Sequence, residues 1–498
     1  MMPAVKQDSV IPPMTLAELL ESDNLDHSEI TITGMTLDSR LVRPGDLFLA
    51  MPGDVHDGRQ FIEQAVANGA SAILAEAPAA GFVDAVPVPL VEWPDLRFEA
   101  GPLAARFYRH PTRELHTIGI TGTNGKTTTS RLIGQLSRAV GKSCGVIGTL
   151  GAGLDDTVSE GGNTTPDPLS LQRQLAQWRD GRVPVVGMEV SSHALVQGRV
   201  NGVEFQTAIF TNLSHDHLDY HGSMGAYARA KMRLFAVEGL RNALVNVDDE
   251  LAALVAAGVG ENVQLLTYSA AGAGADIRVE NPQFHPAGVR AQLATPWGRG
   301  EFDSPLPGQF NLSNLAAAVS ALVLAGADLH AVLGAVPALQ PVAGRMQPVE
   351  NDRGIRVIVD YAHTPDALEQ ALKALRPHVA GRLVAVFGCG GDRDREKRQL
   401  MGRAACALAD TVVVTSDNPR GEDPASIMRD IESGCSGEYR LETDRAAAIE
   451  MAVRDAREGD CVLIAGKGHE TYQLIEGERL HFSDVEHAQR ALAGSVRG

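Results

Sequence analysis

The sequence is poor in cysteine and has no long apolar run. Its 498 residues include only five cysteines, which are widely scattered and form neither a CxxC pair nor a His/Cys metal-ligand spacing. This usage is typical of reduced thiols in a cytoplasmic protein, and it argues against a disulfide framework or a zinc site. Since no apolar run approaches the ~18–20 residues needed to cross a bilayer, the sequence predicts no membrane-spanning segment.

Positive charge is also scarce. The formal net charge of −18 at pH 7 argues against nucleic acid or an anionic membrane as a partner. An anionic small substrate is still compatible, because a local group of arginines and lysines can bind phosphate within an acidic protein. The N-terminal residues MMPAVKQDSVIPPM lack the basic region and apolar core of a signal peptide. We therefore expect a soluble cytoplasmic protein.

The sequence does contain a repeated alternation of apolar strands and helices. Its length predicts two to four domains, and three blocks are visible, at residues 1–112, 113–343 and 344–498. The first block has short strands around an amphipathic helix at 60–67, and the third repeats strand–loop–helix units such as IRVIVD, LVAVF, TVVV and CVLIA. This alternation predicts an α/β protein with mostly parallel sheets, in which ligands bind at the carboxyl ends of the strands.

A strand, a glycine-rich turn and a helix open the second block. The turn, TGTNGKTT at 121–128, departs from the regular GxxxxGK[ST] pattern because Ile120 stands where the first glycine belongs. Glycines still allow backbone N–H groups to converge on phosphate, and a helix N-terminus adds partial positive charge. Lys126 would reach the β- and γ-phosphates, and Thr127 would hold Mg²⁺. An ordinary glycine turn is the alternative, but the complete motif favours ATP binding.

Acidic and histidine side chains follow the next two strands. Glu189 ends VPVVGMEV, where a second Mg²⁺ ligand would belong, although a capping or solvated acid fits equally well. The strand TAIFTNL leads into SHDHLDYHG. Each histidine of this segment alone is better explained as a capping or solvated side chain, but the acids and histidines taken together indicate a functional site. These residues are His215, Asp216, His217, Asp219 and His221. Taken alone, Lys231 in the following helix would be interpreted as a lysine whose ammonium extends to solvent.

Several long motifs, in this order, resemble the Mur ligases, cytoplasmic ATP-dependent enzymes that extend the UDP-muramoyl peptide precursor of peptidoglycan. The motifs are TGTNGKTT, MEVSSH, TNLSHDHLDYHG, YARAKMRLF, PGQFNLSNLAAA, GRMQ, VDYAHTPDAL and AGKGHE, so the resemblance covers the whole chain. In the first block, TLDSR, GDLF and DGRQFI resemble the uridine-binding domain of the third ligase in the pathway. The resemblance implies three α/β domains: a uridine-nucleotide-binding domain, a central P-loop-type ATP-binding domain and a C-terminal Rossmann-like domain that binds the amino acid.

The resemblance also implies a role for each matching residue. The residues implied for ATP are Thr121, Gly122, Thr123, Asn124, Gly125, Lys126, Thr127, Thr128, Asn311, Asn314, Arg345, Asp360 and His363. Those implied for the UDP-muramoyl peptide are Leu37, Ser39, Asn163, Thr164, Thr165, Ser191, Gln197 and Arg199. The implied metal ligands are Thr127, Glu189, His217 and Lys231, the last as a carbamate formed with CO₂. Lys126, His217 and Lys231 would serve catalysis.

The implied reaction forms an amide bond in two steps, through an acyl phosphate and a tetrahedral intermediate, with release of ADP and phosphate. This chemistry depends mostly on positioning and on charge neutralisation. Because ATP lies between the second and third domains in the family, the resemblance also implies that closure of the third domain assembles the site. The implied partners are ATP, the UDP-N-acetylmuramoyl dipeptide and an amino acid, and we expect a monomer.

The motif DNPR at 417–420 bears on which amino acid is added. Third-step ligases add meso-diaminopimelate or L-lysine, which differ by a distal carboxylate, and arginine is the side chain that pairs with a carboxylate through two hydrogen bonds. DNPR resembles the diaminopimelate-adding form, and lysine-adding relatives lack the arginine. The residues implied for this pocket are Arg393, Asp417, Asn418, Pro419, Arg420, Gly466 and Glu470. A plain strand-to-helix turn would explain Glu422 and Asp423 at a helix start, but it does not explain Arg420.

Other functions fit the sequence less well. An L-lysine-adding homologue, or another Mur or folylpolyglutamate-type ligase, lacks the combination of TLDSR, GDLF and DNPR. A P-loop motor or transporter ATPase should show a regular phosphate loop paired with an apolar strand ending in Asp beside it, and the sequence shows no such pair. A non-catalytic binding protein would have no need for Lys126, Glu189, His217 and Lys231 together.

Overall fold

The computed structural model describes residues 13–22, 29–53, 56–79, 81–82, 86–154, 157–159, 163–272, 274–285 and 287–494. The N-terminal stretch in which we predicted no signal peptide lies, up to residue 12, outside the described residues. No helix within these ranges is long and apolar enough to cross a membrane. All five cysteines are described and free.

The secondary structure alternates between strands and helices along most of the chain. Residues 13–107 form β1 (Met14–Thr15), α1 (Leu16–Leu20), β2 (Thr31–Ile32), β3 (Gly34–Thr36), β4 (Asp46–Ala50), α2 (Ile62–Ala67), β5 (Ala72–Glu76), β6 (Leu90–Trp93) and α3 (Leu96–Phe107). Residues 116–232 form β7 (His116–Thr121), α4 (Lys126–Ala139), β8 (Cys144–Gly148), β9 (Gly151–Leu154), β10 (Thr157–Ser159), α5 (Pro168–Asp180), β11 (Val185–Glu189), α6 (Ser192–Val196), β12 (Thr207–Phe210), α7 (Leu218–His221) and α8 (Met224–Met232).

The C-terminal half continues the alternation. Residues 242–335 form β13 (Asn242–Asn246), α9 (Ala252–Ala257), β14 (Gln264–Ser269), β15 (Ile277–His285), β16 (Gly288–Thr295), β17 (Gly298–Ser304), α10 (Gln309–Leu324) and α11 (Leu329–Ala335). Residues 347–494 form β18 (Gln347–Pro348), β19 (Arg356–Asp360), α12 (Pro365–Leu375), β20 (Leu383–Phe387), α13 (Glu396–Leu408), β21 (Thr411–Val414), α14 (Pro424–Glu432), β22 (Tyr439–Leu441), α15 (Arg445–Asp455), β23 (Cys461–Ala465), β24 (Tyr472–Ile475), β25 (Glu478–His481) and α16 (Asp484–Gly494). Short 3₁₀ helices lie at Ser39–Leu41, Gly58–Phe61, Pro111–Arg113, Arg233–Ala236, Val336–Ala338 and Arg376–His378.

The chain divides into two compact units, of which the first contains residues 1–119, 142–208 and 230–241. Its strands β3, β4, β5 and β6 pair in that order, and all of these pairs are parallel. Along β4, Leu47 and Leu49 pack into one hydrophobic core while Phe48 and Ala50 pack into another. Since successive side chains point to opposite faces, this continuous apolar run is what a sheet covered on both faces requires. Elsewhere in this unit, β11 is parallel to β8, and β9 and β10 follow antiparallel.

The second unit contains residues 120–141, 209–229 and 242–498. Its strands β13, β14 and β15 pair in parallel, and β16 and β17 extend them antiparallel. Within residues 344–494, all of which are described, a sheet has the strand order β18-β19-β23-β20-β21-β22 and is parallel except for β18. Along β20, Leu383, Ala385 and Phe387 pack on one face, and Val384 and Val386 pack on the other.

This parallel register brings the polar motifs of the third block to one edge of the sheet. Asp360 and Phe387 are both paired with Ala465, and Phe387 is also paired with Val414. The chain therefore leaves β19, β20, β21 and β23 on the same side, as predicted from the sequence. The predicted α/β class with mostly parallel sheets is confirmed. The amphipathic helix predicted at 60–67 begins at Ile62, because Asp57 caps a 3₁₀ turn over the residues before it.

Candidate active site

The phosphate loop connects β7 to α4 and is built of tight backbone turns. Gly122 and Gly125 have φ values of 148° and 87°. A Cβ atom on Gly122 would lie 1.9 Å from Thr211 Oγ1, and one on Gly125 would lie 2.5 Å from Asn314 Oδ1. Only glycine fits both the conformation and the space at these positions. The sequence pattern is therefore a structural requirement of this loop.

Side chains of the loop are held by its neighbours in the second unit. Lys126 Nζ donates to the carbonyl oxygens of Gly122 (2.7 Å) and Thr123 (2.8 Å), which keeps the ammonium over the loop. The backbone N–H of Asn124 donates to Asn212 Oδ1 at 2.9 Å, and the Thr211 hydroxyl donates to the Asn124 carbonyl at 2.6 Å. The loop is thus held by Thr211 and Asn212, which follow β12 and begin the motif TNLSHDHLDYHG.

Two asparagines of α10 lie beside the same loop. Asn311 Nδ2 donates to the Pro307 carbonyl at 2.8 Å, and Asn314 Nδ2 donates to Asn311 Oδ1 at 3.4 Å. Asn314 Oδ1 accepts from the Thr129 hydroxyl of α4 at 3.4 Å. Both asparagines are buried, so the structure brings these residues, predicted to contact ATP, next to the phosphate-loop helix.

Residues from the third block also reach the phosphate loop. Arg345 Nη2 donates to the Thr127 hydroxyl at 3.2 Å, and its guanidinium carbon lies 4.4 Å from the centre of the Tyr361 ring. Asn124 Nδ2 donates to Asp366 Oδ2 at 3.1 Å. The Asp360 carboxylate accepts from the backbone N–H groups of Met346 (2.6 Å) and Ala362 (2.8 Å). Burial raises the pKa of Asp360, and Arg345 acts against this shift.

The histidine-rich loop meets the third block through two acids. His215 Nε2 lies 2.6 Å from Asp394 Oδ2. Asp216 Oδ2 lies 3.3 Å from His217 Nε2 and 3.9 Å from His363 Nε2. Burial would raise the pKa of Asp216, but His363, His217 and Lys397 outweigh it and lower that pKa, so the acid stays ionised. Burial lowers the pKa of His363, which favours its neutral form.

The predicted metal ligand Glu189 ends β11 in the first unit and is buried. Its Oε1 accepts from the backbone N–H of Thr149 at 2.9 Å, and its Oε2 accepts from the Thr149 hydroxyl at 3.2 Å. A Cβ atom on Gly148 would lie 1.9 Å from Glu189 Oε1, so the close approach of this carboxylate requires glycine there. Lys231, in α8, is 2% exposed. The expectation of a lysine that reaches solvent is therefore wrong for Lys231, because its whole side chain is covered.

Residues predicted to bind the UDP-muramoyl peptide form two local groups in the first unit. In one, the Thr165 hydroxyl donates to the Glu189 carbonyl at 2.9 Å and accepts from the Ser191 N–H at 3.2 Å, and Arg199 Nη1 donates to the Thr165 carbonyl at 3.1 Å. The Thr164 hydroxyl lies 3.1 Å from that of Thr149, Asn163 is exposed, and Gln197 caps α6. In the other, the Ser39 hydroxyl donates to Gln64 Oε1 at 2.7 Å, two residues beyond the half-buried Leu37.

The DNPR motif begins three residues after β21 and lies against the loop that follows β23. Asp417 and Asn418 are buried. Asn418 Nδ2 donates to Glu470 Oε2 at 2.9 Å, and its Oδ1 accepts from the Leu474 N–H at 3.0 Å. Gly466 has a φ of 118°, and a Cβ atom there would lie 2.9 Å from Asp417 Oδ2. Asp417, Asn418, Gly466 and Glu470 therefore form one cluster, as the sequence predicted.

Arg420 adopts a backbone conformation that is unusual for its side chain. Its φ of 54° lies in the left-handed region, where a residue with a Cβ is strained by about 1–2 kcal/mol. Nη1 donates to the Gly391 carbonyl at 2.8 Å, while Nε and Nη2 donate no hydrogen bond to any described residue. One edge of the guanidinium is thus available for a planar anion. Arg393 is exposed on the neighbouring loop, where Nη1 donates to the Asp392 carbonyl at 3.3 Å.

Sequence comparisons connect this geometry to known proteins. Three models of the Mur ligase family match the chain: the catalytic domain at residues 31–108, the middle domain at 120–322 and the glutamate ligase domain at 344–468. A UDP-N-acetylmuramoyl-L-alanyl-D-glutamate–2,6-diaminopimelate ligase of Pseudomonas aeruginosa is 49% identical, over 97% of this chain and 98% of that protein. One of the same name from Coxiella burnetii is 46% identical, over 96% and 99%.

The chain belongs to the Mur ligase family. Members of this family are ATP-dependent ligases, which agrees with the phosphate loop and its Lys126 and Thr127. A solved ligase with the same name as these relatives superposes on this Mur ligase with a TM-score of 0.72 at 39% identity, covering 98% of this chain and 100% of that one. A solved MurF from Acinetobacter baumannii shares the fold, with a TM-score of 0.69 at 21% identity.

The structure of this Mur ligase also shows residues that the sequence analysis missed. Arg398 is fully buried and binds Glu422 (Nη2–Oε1, 2.7 Å) and Asp430 (Nη1–Oδ2, 2.9 Å). Glu422 therefore pairs with Arg398 and does not serve the helix start, whereas Asp423 does cap α14. Lys467, which belongs to the AGKGHE motif, is buried and contacts the DNPR side chain Asn418. Glu422 and Asp430 lie 24 and 32 residues from Arg398, and Asn418 lies 49 residues from Lys467, so no local pattern could reveal these pairs.

Proposed function

We propose that this Mur ligase adds meso-diaminopimelate to UDP-N-acetylmuramoyl-L-alanyl-D-glutamate with hydrolysis of ATP. Relatives of that name align over nearly the whole chain. The choice of amino acid rests on Arg420. Its backbone is strained, and its Nε and Nη2 are available in the loop that follows β21. A carboxylate is the planar anion that this edge of a guanidinium pairs with best.

The proposed reaction runs in two steps. The free carboxylate of the D-glutamyl residue attacks the γ-phosphorus of ATP, ADP leaves, and an acyl phosphate forms. The neutral amine of diaminopimelate then attacks the acyl carbon, and phosphate leaves from the tetrahedral intermediate. Lys126 and the backbone N–H groups of residues 122–127 would bind the phosphates, and Arg345 would neutralise charge on the group being transferred.

Mg²⁺ is a cofactor of the family, and this chain supplies donors that suit it. The Thr127 hydroxyl lies in the first turn of α4, and the Glu189 carboxylate is held by Thr149 at the end of β11. Hydroxyl and carboxylate oxygens are the ligands that Mg²⁺ prefers. We propose that Thr127, Glu189, His217 and Lys231 as a carbamate hold the metal. When bound, Mg²⁺ would neutralise negative charge on the phosphates of ATP.

A phosphate-release assay tests the proposed function. We expect release from ATP only when the UDP-muramoyl dipeptide and meso-diaminopimelate are both present, because the second step consumes the acyl phosphate. Replacing meso-diaminopimelate by L-lysine removes the distal carboxylate and leaves Arg420 without its partner, so turnover should fall by roughly 100-fold or more. Comparable turnover with L-lysine would favour the lysine-adding alternative.

The carbamate proposal rests on the family resemblance and on the burial of Lys231, since a carbamate at this covered position would supply an anionic oxygen ligand. Lys231→Ala should lower kcat by roughly 100-fold or more, and added short carboxylates should restore part of the activity by supplying the missing oxygens. Lys373→Ala, on the exposed face of α12, is the control and should behave as wild type. Full activity of Lys231→Ala would contradict the proposal.

We also propose three domains with boundaries at 1–112, 113–343 and 344–498, and a monomer in solution. The ranges matched by the three family models lie within these boundaries. A sedimentation mass of two chains would contradict the monomer.

A further inference from the structure

Lys467 is a buried cation to which no role in binding or catalysis has been given so far. It follows Gly466 at the carboxyl end of β23, and its side chain is 0% exposed. An ammonium without contact to water is stable only with anionic or polar partners around it. Its position therefore depends on the groups that surround it.

Those partners are residues of the proposed diaminopimelate pocket. Lys467 Nζ donates to Asn418 Oδ1 at 3.0 Å and to Glu470 Oε2 at 2.9 Å, and it lies 3.6 Å from Asp417 Oδ1. It also lies 5.5 Å from the centre of the Tyr472 ring. One ammonium thus contacts the acid and the amide of DNPR together with the acid of AGKGHE.

Lys467 compensates part of the negative charge of this cluster. Asp417 and Glu470 bring two carboxylates close together, and in a low dielectric they would repel each other strongly. The ammonium compensates one of them and leaves one net negative charge. The nearby guanidinium of Arg445 is already paired with Asp484, at 2.7 Å, and both of these side chains are 0% exposed. A single remaining negative charge suits the ammonium group of an amino acid.

Lys467 also sets the orientation of the Asn418 amide. Because Oδ1 accepts from Lys467 Nζ and from the Leu474 N–H, the oxygen side of the amide is occupied. The Nδ2 group donates to Glu470 and has a second N–H to offer. Held in this way, Asn418 presents a donor, which suits an oxygen of the substrate and not its ammonium.

We propose that Lys467 is a positioning residue for the amino-acid substrate: it fixes Asp417, Asn418 and Glu470 so that the pocket presents one negative charge and one amide donor. This assignment rests on the proposed function. Lys467 acts through these three side chains and not on ATP or on the UDP-muramoyl dipeptide. Its loss should therefore affect the binding of only one of the three substrates.

The test is the steady-state kinetics of Lys467→Met, which keeps the length of the side chain and removes its charge. We expect the KM for meso-diaminopimelate to rise by about 30-fold or more, since a misplaced acid and a misoriented amide both weaken recognition. The KM values for ATP and for the dipeptide, and kcat at saturating diaminopimelate, should stay within about 3-fold of wild type. Lys373→Met, an exposed lysine of α12, is the matched control.

Equal increases in all three KM values, or no increase at all, would overturn the assignment. Should Lys467→Met fail to fold, Lys467→Gln keeps a donor for Asn418 without the charge and is judged by the same selectivity. Wild-type enzyme measured in parallel separates the two hypotheses. If it releases phosphate with a different amino acid, the proposed function fails, and the KM for that amino acid then decides the role of Lys467.

Discussion

At the scale of single residues, Arg420 combines backbone strain with a side chain that is only partly used. Glycine would occupy a φ of 54° without strain, yet the chain has arginine there. Hydrogen bonds from Nη1 to the carbonyls of Gly391 (2.8 Å) and Asn418 (3.5 Å) orient the guanidinium and leave Nε and Nη2 without a hydrogen bond to any described residue. The open edge of this guanidinium is the feature on which the proposed recognition of a carboxylate depends.

The first prediction concerns Arg420→Lys. Lysine keeps the charge but cannot form two parallel hydrogen bonds with a carboxylate, so the KM for meso-diaminopimelate should rise by roughly 10- to 100-fold. The KM for ATP should not change, and selectivity against L-lysine should fall in the same assay. Arg440→Lys, an exposed arginine of β22, is the control. A similar loss for ATP would show that Arg420 is structural.

Two further variants separate the side chain of Arg420 from its backbone. Both Arg420→Gly and Arg420→Ala remove the guanidinium, but only glycine relieves the left-handed strain, which is worth about 1 kcal/mol. Both should lose diaminopimelate recognition equally, and Arg420→Gly should unfold at the higher temperature. Recognition retained in the glycine variant would mean that the backbone, and not the guanidinium, selects the amino acid.

At the scale of elements, an ion-pair cluster connects α13, the DNPR loop and α14. Arg398 of α13 binds Glu422, which follows DNPR, and Asp430 of α14. Glu422 also accepts from the Asp392 N–H, and Asp392 in turn accepts from the Gly421 N–H at 3.0 Å. The Arg398 guanidinium lowers the pKa of Glu422 from 4.5 to about 2. The DNPR loop is therefore held in place by these ion pairs and hydrogen bonds.

The second prediction is the acid sensitivity of this cluster. Since the folded pKa of Glu422 lies below its unfolded value, its stabilisation is complete above about pH 4.5 and is lost as the pH falls towards about 2. Glu422→Gln should lower Tm by about 2–5 °C near neutral pH, and this difference should shrink below about pH 4.5. Calorimetry at several pH values measures it, with Glu369→Gln on α12 as the control. A difference that stays constant in acid would contradict the assignment.

The strands and turns of the fold could be predicted from the sequence where a local pattern determines them. Apolar β-branched runs specified β19, β20, β21 and β23, and glycines marked the turns of the phosphate loop, because both patterns are set by neighbouring residues. The sequence did not predict the contact of Lys467 with Asn418 or that of Arg398 with Glu422, because these contacts join segments far apart in the chain. It also gave no signal for the left-handed φ of Arg420, where Asn-Pro indicated only a turn.

At the scale of the whole molecule, the predicted binding residues are distributed over both compact units of the chain. Ser39 and Thr165 belong to the first unit, and Lys126 and Arg420 belong to the second. Each unit has its own hydrophobic cores, around β4 in the first and around β20 in the second.

The last prediction follows from this division. Ser39→Ala removes the hydroxyl that donates to Gln64. Because this hydroxyl is also proposed to contact the UDP-muramoyl dipeptide, its loss should raise the KM for the dipeptide by about 10-fold. The Kd for ADP, measured by calorimetry, should stay unchanged, because the phosphate loop and α4 belong to the second unit. Ser170→Ala, at an exposed position of α5, is the control within the same unit. A parallel loss of ADP affinity in Ser39→Ala would show that the two units do not bind their ligands independently, and the assignment of Ser39 to the dipeptide would then fail.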